Sequence, residues 1–236
     1  MTRTGALDWR PVLAAAATGI LVGAAIVATR SVADQASPAA LAFLRYAIGL
    51  ACLAPPLALV HNGRGLIARG DRVPIALLGI AQFALVIVLL NWALQRIPSA
   101  RAALIFATSP LLTLLFGAVL RAERMTPPKV AGALLSVVGV GLALGEKALG
   151  AGAGGWAGEL AALGSAASAA LCSVLYRPYL RRYPALTVST YAMFASVAFL
   201  GVWAAAEGFF VSIPRFSVAG WLAIVFIGLN SGVGYY

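Results

Sequence analysis

Histidine occurs once in this chain and cysteine twice, and only 7 of its 236 residues are acidic. The single histidine, His61, falls in a loop, which excludes a histidine metal cage and a relay of imidazoles. Cys52 and Cys172 each lie inside an apolar run without metal-ligand spacing, so they read as small buried hydrophobes. A membrane-embedded enzyme needs a nucleophile with its base, or a metal site. Seven scattered carboxylates and one loop histidine supply neither, so the expectation is no enzyme, no cofactor and no metal. Charge of either sign is scarce as well. Charged residues make up 10% of the chain and hydrophobic ones 62%, where a soluble domain carries about 25% charged residues. That shortage excludes an ordinary water-exposed surface.

The charge that remains is one-sided, with 17 basic residues against 7 acidic and a formal +10. A nucleic-acid surface would gather such residues on one face. Here they stand singly or in threes between apolar runs, which is how membrane topology is signalled. Nucleic acid is excluded as a partner, and the lipid bilayer takes its place.

Long apolar runs dominate, and mean hydropathy is +0.95. A bilayer-crossing helix needs roughly 20 apolar residues. The runs Val12–Ala28, Ala39–Val60, Val73–Leu94, Ala102–Leu120, Val130–Gly145, Trp156–Tyr176, Leu186–Ala206 and Val218–Tyr236 predict an all-α integral membrane protein of about eight transmembrane helices. Pro38, Pro74, Pro98, Pro127, Pro128, Pro184 and Pro214 fall between or at the starts of these runs. Proline suits a first helical turn, where its missing N–H wastes no bond. The first run is long for a signal peptide and Arg30 interrupts its exit, so it reads as an uncleaved helix.

Basic residues divide unequally between alternate connections. One side holds Arg3, Arg10, Arg64, Arg69, Arg72, Arg121, Arg124, Lys129, Arg177, Arg181 and Arg182; the other holds Arg30, Arg96, Arg101, Lys147 and Arg215. The excess predicts a multi-pass protein of the cell inner (plasma) membrane with its N-terminus in the cytoplasm.

The order of segments repeats. Pro38 to Arg45 opens the second run and Pro184 to Tyr191 opens the seventh, an offset of 146 residues. The offset pairs the sixth run with the first and, with a small gap, the eighth with the third. A unit of five helices forces the second copy to lie inverted, an arrangement of secondary transporters whose solute site lies between the halves. The expectation is a first repeat over 1–148 and an incomplete second repeat over 156–236. Completing it would require two further helices beyond Tyr236, roughly 60 residues by the repeat arithmetic.

At the residue level the chain resembles the EamA-like branch of the drug/metabolite transporter superfamily. The resemblance is carried by Ser99-Ala-Arg-Ala-Ala-Leu-Ile, Pro110, Glu123-Arg124, Gly132 and Gly139-Val-Gly141, with Pro38 and Arg45 in the second run and Gly158-Glu159-Leu160 opening the second half. It implies ten helices in two five-helix halves and a carrier of small organic solutes, often an exporter of amino acids or related metabolites.

Several side chains are candidates for that work. Arg45 lies about two turns, roughly 10 Å, into its helix, and a charge there faces the interior or a wet cavity, or snorkels to the interface. It reads as a gate, an anion-binding group or a structural tie. Glu123, between Arg121 and Arg124, reads as a loop carboxylate or an inner clamp, and Glu159 as a partner of the helix dipole. Pro110 predicts a mid-run kink, with Thr108, Ser109 and Thr113 able to bond the freed carbonyls or line a cavity. Gly19/Gly23 and Gly141/Gly145 read as helix-packing seams. In the third run Asn91 and Gln95 share a face, whereas Gln82 is half a turn out of phase with Asn91 in an uninterrupted α-helix. The candidate solute path is Asn91, Trp92, Thr108, Ser109, Asn230 and Tyr235. The leading expectation is a secondary carrier for a small-molecule solute working by alternating access. A non-transporting scaffold or partner subunit is the alternative, and a homodimer is left open.

Overall fold

The computed structural model describes residues 9–60, 67–122, 126–149, 156–212, 214 and 216–233. Every regular element among them is helical, and eight helical spans follow one another: α1 (Trp9–Val32), α2 (Pro38–Val60), α3 (Arg69–Leu94), α4 (Ser99–Val119), α5 (Pro127–Leu149), α6 (Ala157–Leu180), α7 (Ala185–Ala206) and α8 (Val218–Val233). This is an all-α membrane protein. Spans α3, α4, α6 and α7 are each long and apolar enough to cross a bilayer, and the described parts of α1, α2 and α8 are shorter apolar helices. Helices suit this solvent because all their backbone bonds close within the segment. Large apolar side chains point outward throughout, among them Ile20, Val119, Leu135, Leu142 and Val202, each at least 70% exposed. In water such a surface would aggregate; against acyl chains it is the expected exterior.

Proline marks the boundaries. Pro38 and Pro127 open α2 and α5, while Pro98 and Pro184 cap α4 and α7. Pro110 divides α4 into Ser99–Phe106 and Ser109–Val119. The hydroxyls around this break satisfy nearby carbonyls: Thr108 Oγ1 donates to Ile105 O at 2.6 Å, Ser109 Oγ to Phe106 O at 2.6 Å and Thr113 Oγ1 to Ser109 O at 2.8 Å. In a bilayer no water is present to do this.

Two helices end in the same backbone motif with different residues at its left-handed position. At the end of α7, Gly208 takes φ 81°, and the N–H of Phe209 reaches back to Ala204 O. At the end of α4, Arg121 takes φ 54°, and the N–H of Ala122 reaches back to Gly117 O. Glycine adopts this conformation without steric cost, whereas a side chain crowds the following carbonyl. Arg121→Gly is therefore expected to stabilise the fold by about 1 kcal/mol, read as a raised melting temperature in detergent.

The packing of the helices follows a pairwise exchange. Helix α1 packs on α8 as α6 packs on α3, α2 packs on α8 as α7 packs on α3, and α2 and α7 pack on each other. Swapping α1 with α6, α2 with α7 and α3 with α8 leaves these five pairings unchanged, whereas the packing of α2 on α3 has no counterpart of similar extent between α7 and α8. Glycines bring the backbones together at corresponding contacts. A Cβ at Gly79 of α3 would collide with the backbone of Ala192 in α7, and one at Gly228 of α8 would sit 2.7 Å from Ile48 Cβ in α2. The predicted seams behave differently, since Gly19, Gly23 and Gly141 face open space within the described structure.

Candidate functional site

The third helix is not α-helical throughout. Between Arg69–Gly79 and Val86–Leu94, residues Ile80–Leu85 form a π-helical stretch, and the N–H of Val86 bonds five residues back to Ala81 O. Wide turns of this kind recur at functional sites. Here the stretch is held from both sides. Gly79 abuts the Ala192 backbone before it, and Ser165 Oγ of α6 donates to Val86 O at 2.7 Å after it.

Gln82 lies on this stretch and lines a cavity of about 170 Å³ bounded by α1, α2, α3, α4 and α8. The walls are largely apolar, contributed by Leu21, Val22, Ala25 and Ile26 of α1, Val86, Ile87 and Leu90 of α3 and Phe106 of α4. Polar groups interrupt them at Thr18, Arg45, Tyr46, Gln82, Asn230 and Ser231. The cavity is smaller than the ~300 Å³ at which drug-sized pockets begin, so it suits a small metabolite.

Arg45 is half-buried in this wall. Its Nε donates to Ser231 Oγ at 2.6 Å, Ser231 Oγ donates in turn to Ile227 O at 2.7 Å, and its guanidinium carbon lies 5.6 Å from the centroid of the Tyr46 ring. No carboxylate among the described residues pairs with it. Asn230 lines the same cavity and ties α8 to α1 through Nδ2 to Leu21 O at 3.2 Å.

The other residues singled out from sequence lie elsewhere. Asn91 is buried and donates through Nδ2 to Pro38 O at 2.9 Å, joining α3 to the start of α2. Trp92 lies beneath the Arg96 guanidinium, 3.4 Å from its ring centroid. Thr108 and Ser109 bond their own turn, and Pro110 stands in the first turn after the break. Glu123 and Tyr235 lie outside the described residues. The sequence reading passed over Gln82, set aside as out of phase, and Tyr46, whose aromatic ring gave no polar signal.

Two sets of contacts tie the ends of the helices. At the end carrying the α1–α2, α3–α4 and α7–α8 connections, Ser37 Oγ donates to Glu207, Gln95 Nε2 donates to Ala33 O at 2.8 Å, and the Ser217 N–H donates to Gln35 Oε1 at 3.3 Å. Glu159, almost fully buried at the start of α6, meets Arg101 of α4 at 3.2 Å. At the other end the Tyr183 hydroxyl donates to Asp71 at 2.7 Å and accepts the Ala68 N–H at 3.3 Å, with Arg182 3.5 Å from the same carboxylate. The hydrogen bond to Asp71 raises the Tyr183 phenol above its ordinary value. Asp71 and Ser217 are 146 residues apart, the repeat offset. Their partners Tyr183 and Gln35 are 148 residues apart.

Comparison with known proteins agrees with this architecture. Residues 9–145 match the model of the EamA-like transporter family. The chain is 34% identical over 134 residues to a protein named probable terminal-alkyne amino-acid exporter from Streptantibioticus cattleyicolor, covering 55% of this chain and 43% of that one. It is 32% identical over 148 residues to the aromatic amino acid exporter YddG of Ancylobacter novellus, covering 61% and 50% respectively. It thus spans about half the length of the curated relatives it matches. One solved structure, 25% identical, superimposes with a TM-score of 0.64 over 94% of this chain and 77% of its own.

Proposed function

The chain belongs to the EamA-like transporter family, and on that premise we propose that it is a secondary carrier exporting amino acids or closely related small metabolites. Solute would occupy the cavity around Arg45, and the paired helices would rock about it so that the cavity opens to each side of the membrane in turn. The observation that carries this reading is the cavity itself, apolar with a few polar groups converging from four helices. The pairwise exchange of helix packing supports a division into related halves, residues 1–148 and 156–236, inverted with respect to each other. The names of the two relatives support amino acids as the solute class. The unequal distribution of basic residues supports the inner membrane with a cytoplasmic N-terminus.

The test is exchange in proteoliposomes holding the purified protein, preloaded with radiolabelled phenylalanine and diluted into unlabelled phenylalanine. Release well above that of protein-free liposomes is expected, and release at the protein-free rate would sink the carrier reading. No Asp, Glu or His among the described residues lines the cavity. Release is therefore expected to change by less than about twofold when a pH gradient is imposed across the liposome membrane, because a fixed side chain that could carry a proton with the solute is lacking there.

A further inference from the structure

A cation with no carboxylate partner among the described residues and an unpartnered acceptor share the wall of this cavity. Arg45 commits its Nε to Ser231, which fixes the plane of the guanidinium, and no carboxylate among the described residues meets the rest of the fork. A planar guanidinium takes a carboxylate through two parallel hydrogen bonds. A charge this far into a helix is also expensive to keep without a counter-ion. In the same cavity wall, Gln82 Oε1 is buried without a hydrogen-bond partner, an arrangement native proteins seldom retain outside functional positions. The helices that carry them touch at the neighbouring residues, Tyr46 beside Arg45 packing edge-on against Phe83 beside Gln82 with ring centroids 5.2 Å apart.

From this we propose that the cavity recognises the head group of an α-amino acid, with Arg45 holding the carboxylate and the Gln82 amide accepting a hydrogen bond from the α-ammonium. The apolar side chain then lies against Leu90, Ile87 and Phe106. The proposal deepens the carrier reading and rests on it. Gln82 is the specificity-determining residue: it is a neutral acceptor, so it rewards an N–H at the α-carbon and is left unpaired by a solute that lacks one. Sites built to bond a donor reject the analogue without it far more strongly than apolar pockets reject a missing methylene. The π-helical stretch supplies the aim. An uninterrupted α-helix would turn position 82 about 100° relative to the residues after the widened turn.

The experiment is inhibition of labelled phenylalanine exchange in proteoliposomes by unlabelled phenylalanine and by 3-phenylpropionate, which keeps the carboxylate and the ring but lacks the ammonium. The wild-type protein is expected to bind phenylalanine at least tenfold more tightly than 3-phenylpropionate. Gln82→Leu is expected to bring that ratio within about threefold of unity, and Gln82→Glu, which restores an acceptor, to recover it. Arg45→Gln should weaken both inhibitors by at least tenfold while changing their ratio little. Absence of exchange by the wild-type protein would overturn the carrier reading and this inference together. Exchange with no wild-type preference for phenylalanine, or with a ratio unchanged by Gln82→Leu, would overturn the inference and leave the carrier reading standing. Thermal unfolding of each variant separates loss of the site from loss of the fold, and a Gln82→Leu protein that melts with the wild type yet keeps its discrimination counts against the proposal.

Discussion

Gly79→Leu is expected to leave almost no folded protein, with a loss of more than about 3 kcal/mol. The reason is the identity of the atoms that a side chain would meet. At Gly201 and Gly220 a new Cβ would meet the far end of another side chain, which can turn away. At Gly79 it meets the carbonyl and Cα of Ala192, which can yield only if α7 moves bodily. That helix also packs on α2, so the shift would spread into the centre of the molecule. Even Gly79→Ala should cost about 1–3 kcal/mol, the range of overpacked cores. Gly141→Ala in α5 is the matching control. Nothing lies within 4 Å of a Cβ there, and the gain in helix propensity should stabilise by about 0.5–1 kcal/mol. Melting temperatures of the three variants in one detergent check the claim, and equal melting of Gly79→Ala and Gly141→Ala would contradict it.

The second large effect concerns the one closely described buried carboxylate. Removing a partner from a buried ion pair costs about 3–5 kcal/mol, because a charge is left in low dielectric. Arg101 is 32% exposed while the Glu159 side chain is 5% exposed, so water already screens one member. Arg101→Met should accordingly lower stability by about 2–3 kcal/mol. If the penalty comes from the carboxylate losing the Arg101 charge, then adding Glu159→Gln should recover a large part of it. A double variant less stable than Arg101→Met would show instead that the arginine contributes mainly by packing. Unfolding of the two single variants and the double variant closes the cycle.

These two predictions mark different limits on what could be read from sequence. All eight helical spans were legible, because apolar runs and prolines state helix boundaries directly, and Pro38, Pro127 and Pro184 stand where the runs begin. The ion pair was not legible. Glu159 alone at a helix start is explained by the helix dipole, and nothing local points to a partner 58 positions earlier. Arg45 stood out as a charge within an apolar run, and it does line the cavity. Gln82 did not, because its phase was counted along an uninterrupted α-helix, and that count fails once Ile80–Leu85 adopts the wider turn. Thr108 and Ser109 bond carbonyls of their own turn, one of the two roles open to them in the sequence. Hydroxyls in an apolar helix invite a solute path, and a proline next to them also opens carbonyls for them to bond. Asn91 is similar, its amide going to the chain at Pro38. A polar residue in a membrane helix announces that it has a partner without saying whether the partner is backbone or solute.

The π-helical stretch has a mechanical consequence. Helix α3 is fastened to α7 at Gly79 and to α6 at Val86, and the six residues between carry the wide turn of the helix. It is a link between two rivets. A shift of α6 relative to α7 would load that link from both ends. Gln82 rides on the link, so the side chain facing the cavity is geared to the relative position of two helices that do not line it.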